Sequence, residues 1–457
     1  MKIKENILKF FILLCFIIFF FVNLYNDISF MKILNDNYLE IQKKININFH
    51  NKIRFKINIA VYGYCIKNGG RARLTALMVS YFYKIKIFNI YLFTKKNKED
   101  NEYSIPENTK RIIINNNNLI YEIKKNKIDI LIYQLSDYND ISILNNQKKI
   151  KVIFYQHSCF FYWIYLDKFN EFKNIYKALQ DSKYVITLVP FENDYLFKKW
   201  GINSILMYNF LTYNAKFVEP SDLSANIILM IGRGNDKLKR FELGIKSMKY
   251  IVKEVPDCEM KIISNIDYIG ELKNLTYNLA LENNINFVGY SSSPEIYFKN
   301  ASLHIFPTMS ESFGYVLCET KIYGIPNILL GLDYVSISKG GTIIIYDESP
   351  KTIAFEAIKI LKNDEYKKRL GNEARKSMEL FNNDLLNIRW IKLILSIYNG
   401  ENYYQLFRDS DIKISLNDSI NILYNQVKLL KMRKPIFNNI TTKDIENFSF
   451  LEYLNFR

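Results

Sequence analysis

Two carboxylates and a cluster of cations carry the clearest chemical signal in this chain. Glu311 and Glu319 are seven residues apart in Phe306-Pro307-Thr308-Met309-Ser310-Glu311-Ser312-Phe313-Gly314-Tyr315-Val316-Leu317-Cys318-Glu319, and Gly324-Ile325-Pro326 follows. On one continuous helix that spacing would set the carboxylates about two turns apart on a single face. Here Glu311 falls in the loop ahead of the helix, and Phe313 and Gly314 would present backbone N–H groups at its start, a site for an anion. A carboxylate beside such a site can accept hydrogen bonds from hydroxyls, a ribose for one Glu and a hexose for the other. The cations follow the apolar run Ile227–Ile231, in Gly232-Arg233-Gly234-Asn235-Asp236-Lys237-Leu238-Lys239-Arg240. A glycine-bearing turn from strand to helix that carries several cations suits a phosphate, because backbone N–H groups, the helix dipole and charged side chains converge there. Taken singly, the spaced carboxylates also fit an amphipathic surface helix, and the turn also fits a solvated basic loop.

The elements around these motifs alternate. Short apolar runs at Ile57–Val61, Phe88–Phe93, Arg111–Ile114, Ile128–Tyr133, Val152–Tyr155 and Val185–Val189 are separated by helix-compatible stretches. A second series runs through Ile227–Ile231, Met260–Ile263, Ile285–Val288, Leu303–Phe306, Ile328–Leu330 and Thr342–Ile345. Strands alternating with helices imply two doubly wound, largely parallel sheets, with a cleft at the C-terminal ends of their strands. Ser293-Pro294-Glu295 and Ser349-Pro350 each predict an N-cap followed by proline at the first helical position. The polar stretch 213–224, with Pro220, reads as the linker between the halves.

The chain has 457 residues, 49% of them hydrophobic, enough for two globular domains, which excludes disorder, collagen and small disulfide scaffolds. Lys and Arg number 62 against 46 Asp and Glu, a net charge of +16 that suggests a polyanionic partner. The excess is scattered among Asn, Ile, Tyr and Phe, a compositional bias rather than one basic face. Five cysteines lie far apart with no CxxC spacing, so neither a zinc site nor a disulfide framework follows. Only 16 glycines are present, about half the usual ~7% frequency, so those that remain are expected where backbone geometry demands them.

Ile7 to Tyr25 reads ILKFFILLCFIIFFFVNLY, close to the ~20 apolar residues that cross a bilayer. No A-x-A-like cleavage site follows, so an uncleaved anchor is expected at residues 1–30, with a polar stem at 31–52. Lys2, Lys4 and Lys9 precede the run and predict a cytoplasmic N-terminus. The expected location is a single-pass membrane protein. Its catalytic domains would be lumenal, in the Golgi or endoplasmic reticulum, in a eukaryote, and on the cytoplasmic face of the inner membrane in a bacterium.

Taken together, IGRGNDKLKRFELGIKSM, VPDCEMKIIS, INFVGYSSSPEIYFKNASLHIFPTMSESFGYVLCETKIYGIP and LKNDEYKKRLGNEARKSMELF, in that order from about Asn226 to Tyr398, resemble the C-terminal half of the retaining glycosyltransferases of family 4 (group 1 glycosyl transferases). The resemblance implies an α/β GT-B fold, two doubly wound Rossmann-like domains facing a cleft, here preceded by the transmembrane helix. It divides the chain into an acceptor-side domain at 53–215, a nucleotide-sugar-binding domain at 216–400 and an extension of unknown role at 401–457. It places Arg233 and Lys239 on the donor diphosphate, Glu311 on the donor sugar and Glu319 on the ribose, with Phe313 and Gly314 at the second anion site. The turn is one residue longer than in many members, so Lys237 competes with Lys239; Lys239 is preferred because Phe241-Glu242-Leu243 then falls into register. In the first half, Asn68-Gly69-Gly70-Arg71-Ala72-Arg73 resembles the family's Gly-Gly loop, where Gly69 and Gly70 allow close approach to the diphosphate. Ala72 stands where an acidic residue is usual. Tyr155-Gln156-His157-Ser158 places His157 where members carry a cleft histidine near the donor sugar, whereas His304 lies inside a strand.

The implied reaction moves a sugar from a nucleoside diphosphate sugar to a glycan, lipid-linked or protein-linked acceptor with retention of configuration. No bound cofactor and no metal are expected, because cationic side chains supply the charge at the diphosphate; Asp409-Ser410-Asp411 is read as a decoy of a metal motif. Membrane lipid is an expected partner and nucleic acid is not. The alternatives are a GT-B-like sugar-nucleotide epimerase or phosphorylase, and a membrane-tethered polyanion-binding protein.

Overall fold

The computed structural model describes residues 56–446 except 68, 116–117, 136–138, 146, 148, 158, 167, 234–236, 265–268, 292, 338, 403–415 and 434–436. Its strands form two sheets. The first contains β1 (Ile57–Gly63), β2 (Phe88–Thr94), β3 (Lys110–Ile113), β4 (Ile130–Tyr133), β5 (Lys151–Tyr155), β6 (Tyr184–Thr187) and β7 (Ser204–Leu206), in the order β3-β2-β1-β4-β5-β6-β7. The second contains β8 (Ile227–Ile231), β9 (Glu259–Ile263), β10 (Ile285–Gly289), β11 (Leu303–Phe306), β12 (Asn327–Leu330) and β13 (Thr342–Ile345), in the order β10-β9-β8-β11-β12-β13. Neighbouring strands pair in parallel, as β1 does with β2 and β4, and β11 with β8 and β12. Helices cover both faces of such sheets, so central strands like β4 and β11 are buried at every position and read as unbroken apolar runs. Aromatic residues fill the first core: Tyr62 meets Tyr133 edge-on at 5.6 Å and Phe93 at 6.2 Å. Strand β7 had no counterpart in the sequence analysis, because its three residues are too short to show a period.

The topology decides where ligands can go. Strand order reverses between β1 and β4 in one sheet and between β8 and β11 in the other. Crevices in doubly wound sheets open at such reversals, at the C-terminal ends of the strands. The Gly69-Gly70 loop follows β1, the Arg233–Lys239 turn follows β8, and Glu311 follows β11.

Local capping explains several boundaries. Ser349 accepts from the Thr352 N–H at 3.3 Å with Pro350 at the first helical position, as its sequence implies. Ser293 does not cap: Pro294, whose side chain offers no acceptor, takes the cap position of the four-residue helix Glu295–Phe298. The helix Asn383–Asn399 returns to the first sheet. The Asn383 amide donates to the Leu211 carbonyl at 2.7 Å and accepts from the Leu211 N–H at 2.8 Å, and Trp390 packs fully buried against Phe82 and Tyr155. In the extension, the helix Leu416–Arg433 spans both halves. Buried Gln426 accepts from the Tyr165 hydroxyl at 2.6 Å and donates to Asp333 at 3.0 Å, and Ser419 donates to Asp194 at 3.2 Å.

The single-pass membrane placement, in both its lumenal and its inner-membrane form, is corrected. Among the described residues no helix is long and apolar enough to cross a membrane. Even the 18-residue helix Leu416–Arg433 carries Asp418, Lys428, Lys431 and Arg433, because these helices bury one face and solvate the other. The run Ile7–Tyr25 and the stem 31–52 lie outside the described residues, as does the Asp409-Ser410-Asp411 motif.

Candidate active site between the two sheets

On the second sheet, the chain leaves β8 at Gly232 and makes one 3-10 turn, Lys237–Lys239, before the helix Phe241–Glu254. Arg240 holds a left-handed φ of 58° at the helix cap, and its guanidinium is paired with Glu242 and Glu348. This anchorage aims its neighbour Lys239 inward. The Lys239 stem lies on Gly232, where a Cβ would meet its Cγ at 3.3 Å, and its ammonium sits 5.6 Å from the centre of the Phe306 ring. Its Nζ donates to Glu311 Oε2 at 2.5 Å. The two loops are stitched together by the Met309 N–H donating to the Leu238 carbonyl at 2.9 Å. Burial, the largest influence, works against ionisation of Glu311. Lys239, the charge of Arg233 and the Ser312 N–H outweigh it and hold the carboxyl below the ordinary carboxylate range. Arg233 is exposed.

Glu319 lies inside the helix Tyr315–Ile322, which begins at Gly314 with φ 72°. A Cβ at Gly314 would approach Glu311 Cγ and Leu317 Cβ, both at 3.3 Å. Gly314→Ala is therefore expected to cost ~1–2 kcal/mol in backbone strain and to disturb Glu311, lowering both the unfolding temperature and activity. An unchanged melting curve together with full activity would contradict this. Phe313 is core rather than cleft: it is buried against Tyr208, Tyr315 and Phe381, so only its backbone is placed at the helix start.

The first domain meets this helix directly. Gly69 has φ 84° and caps the helix Gly70–Tyr83. A Cβ on Gly70 would come within 2.9 Å of the Tyr315 ring, so the two helix starts touch across the domain boundary. The Tyr315 hydroxyl donates to the Phe210 carbonyl at 3.0 Å. Arg73, one turn into that helix, pairs with Glu319, with its guanidinium over the rings of Tyr315 at 5.3 Å and Tyr103 at 5.6 Å.

His157, after β5, lies 4.4 Å from the Tyr155 ring, and its Nε2 is 3.1 Å from Gln134 Oε1. Burial and then the charge of Arg71 push its imidazole well below the usual histidine range, so it is neutral at physiological pH and can exchange hydrogen bonds but not hold charge. His304 is fully buried and bonded to Asn327 at 2.7 Å, with burial lowering it to about 4, consistent with a packed strand residue. Next to Glu311, buried Cys159, Glu192 and Asp333 bring their ligand atoms within 4.8 Å of one another, and burial raises the Asp333 carboxyl to about 7.

The structure thus gathers Lys239 and Gly314 with Glu311, Gly70 with Tyr315, and Arg73 with Glu319. Lys237 points away, exposed and 3.3 Å from Glu271. Tyr315 and Gln134 were missed by sequence reasoning. Tyr315 looks like any aromatic on a helix, whereas Gln134 ends the apolar run Ile128–Tyr133 beside the strand reversal, a signal that could have found it.

The fold and site define a GT-B-like pair of Rossmann-like domains. Residues 213–377 match the family described as Glycosyl transferases group 1. Among curated proteins, the chain is 26% identical over 160 residues to the capsular polysaccharide biosynthesis glycosyltransferase CapM of Staphylococcus aureus, covering 34% of this chain and 41% of that one. It is 28% identical over 146 residues to the N-acetyl-alpha-D-glucosaminyl L-malate synthase of Bacillus anthracis, covering 31% and 38%. The chain therefore spans about two fifths of the length of these relatives. Among solved structures it is similar to a sucrose-phosphate synthase of Thermosynechococcus elongatus, with a TM-score of 0.62 and 16% identity over 76% of this chain and 100% of that one. It is also similar to Anabaena HepE in complex with UDP and glucose, with a TM-score of 0.60 and 13% identity over 74% and 100%.

Proposed function

We propose that this protein is a glycosyltransferase that moves a sugar from a nucleoside diphosphate sugar to a hydroxyl of a glycan, lipid-linked or protein-linked acceptor, with retention of configuration. The observation that carries this reading is the pairing of buried Lys239 with Glu311 at the strand reversal of the second sheet, within the segment that matches the group 1 family, beside a helix whose Tyr315 meets Gly70 of the first domain. In this proposal residues 216–400 hold the donor and residues 53–215 present the acceptor.

The chemistry follows from charge. The bond between the anomeric carbon and the β-phosphate oxygen breaks, and negative charge grows on the departing diphosphate. Lys239, Arg233 and the N–H groups at the starts of the helices Gly70–Tyr83 and Tyr315–Ile322 would neutralise it. Glu311 would accept hydrogen bonds from the sugar hydroxyls. The acceptor oxygen bonds to the anomeric carbon on the face the leaving group vacates, its proton passing to the departing phosphate oxygen, which keeps the configuration. Neutral His157 would offer a hydrogen bond near the sugar. Incubation with UDP-, GDP- and ADP-sugars and simple acceptors, with the product anomer read by NMR, tests the proposal. An inverted product would remove retention, and a sugar epimer or a free sugar phosphate without glycosylated acceptor would favour an epimerase or phosphorylase.

Turnover is expected to survive metal chelation, since cationic side chains and helix starts take the place of a divalent ion at the diphosphate. Loss of activity in chelator, restored by manganese or magnesium, would overturn this and direct attention to Cys159, Glu192 and Asp333.

A further inference from the structure

The two carboxylates of the site draw their cations from different places. Glu311 is paired within its own domain, by Lys239, whereas Glu319 is paired by Arg73 from the other domain. Glu319 is only 2% exposed, and among the described residues Arg73 is the cation that acts on it; Glu295, Tyr213, Tyr315, Tyr323 and Cys318 also face it, while Lys321 on the same helix donates to the Gly340 carbonyl at 2.8 Å. Burial, with Glu295 adding to it, holds the Glu319 carboxyl above the ordinary carboxylate range, and Arg73 opposes that rise without cancelling it. Arg73 is itself fixed from several sides. Its backbone N–H donates to the Gly69 carbonyl at 3.1 Å in the helix's first turn, its guanidinium lies between the Tyr315 and Tyr103 rings, and Nη1 also approaches Thr212 at 3.5 Å. Nη1 engages Oε1 of Glu319, one of two carboxylate oxygens.

We propose that Arg73 is a positioning residue for nucleoside recognition: the first domain delivers its guanidinium to Glu319 and holds that carboxylate oriented to accept hydrogen bonds from the ribose hydroxyls of a nucleoside diphosphate. Ribose recognition is then complete only when the two domains are in contact, although Arg73 does not touch the nucleotide. This rests on the donor site proposed above. A carboxylate accepts from two vicinal hydroxyls, whereas a protonated acid must donate at one oxygen and loses part of that capacity. Removing Arg73 would leave a buried, unpaired acid that takes up a proton.

Calorimetric titration of the full chain with UDP, GDP and ADP, with the 2′,3′-dideoxy form of whichever binds, and with pyrophosphate separates the possibilities. The wild type is expected to favour the ribose form over the dideoxy form by about tenfold, and Arg73→Ala and Arg73→Gln to bind both alike while keeping pyrophosphate affinity within about twofold. Arg73→Lys should restore part of the preference. In Arg73→Gln the preference should return only as the pH is raised, at a higher pH than in the wild type, because the charge of Arg73 no longer opposes burial. A ribose preference that persists in both uncharged variants would overturn the inference. So would an equal loss of pyrophosphate, which would make Arg73 a direct phosphate ligand. A wild-type chain that binds none of the three diphosphates would instead sink the donor reading, and the inference with it.

Discussion

Glu311→Gln is expected to lower sugar transfer by ~10²–10³-fold, the loss typical of one contact made to the reacting group in the transition state. Gln keeps the shape and one acceptor oxygen but removes the charge that Lys239 and Arg233 hold on this side chain. The glutamine variant separates chemistry from folding better than Glu311→Ala does. Lys239 is only 8% exposed; both variants remove its counter-ion, but glutamine keeps an acceptor for its ammonium, whereas alanine would leave a buried charge with neither, which costs ~3–5 kcal/mol of stability. Part of the loss in the alanine variant would then reflect a displaced lysine. Because the Glu311 carboxyl is held below its ordinary range, it contributes no titration step near neutral pH. Steady-state turnover of a variant shown to be folded by its melting curve decides the matter, and near-wild-type rates would remove Glu311 from the site.

Lys239→Ala is expected to weaken nucleoside diphosphate binding by ~10²-fold, since a buried, hydrogen-bonded charge is lost and Glu311 is left without its partner. Lys237→Ala should change affinity by less than about twofold, because its pair with Glu271 is 71% and 68% exposed and such pairs contribute little. Arg233→Ala should fall between them, at about tenfold, as an exposed cation that still acts on Glu311 through its charge. Titration of the three variants with the free diphosphate reads this order directly. A larger loss at Lys237 than at Lys239 would show that the ligand approaches from the outer face of the 3-10 turn.

Much of this site was legible in the sequence, and the reason is local. Strands buried on both faces read as short apolar runs, so twelve of the thirteen described strands could be anticipated, whereas the three-residue β7 could not. The choice of Lys239 over Lys237 rests on the register of the helix that follows; the structure buries Lys239 against Glu311 and leaves Lys237 exposed. The scarcity of glycine made Gly69, Gly70 and Gly314 stand out, and each is where a positive φ or a close approach requires it. What the sequence could not supply were partners set by the docking of one domain on the other. Arg73 and Glu319 are 246 residues apart, and neither carries a local mark of the other. The hold of Gln426 on both Tyr165 and Asp333, and the return of Asn383–Asn399 to the first sheet, are likewise invisible to a periodicity. Apolar spacing and turn residues report what a segment does with its own backbone, and that determined two α/β halves and their glycine-bearing turns. Which carboxylate receives its cation from across the cleft depends on the relative placement of two folded bodies, and only the tertiary structure decides that.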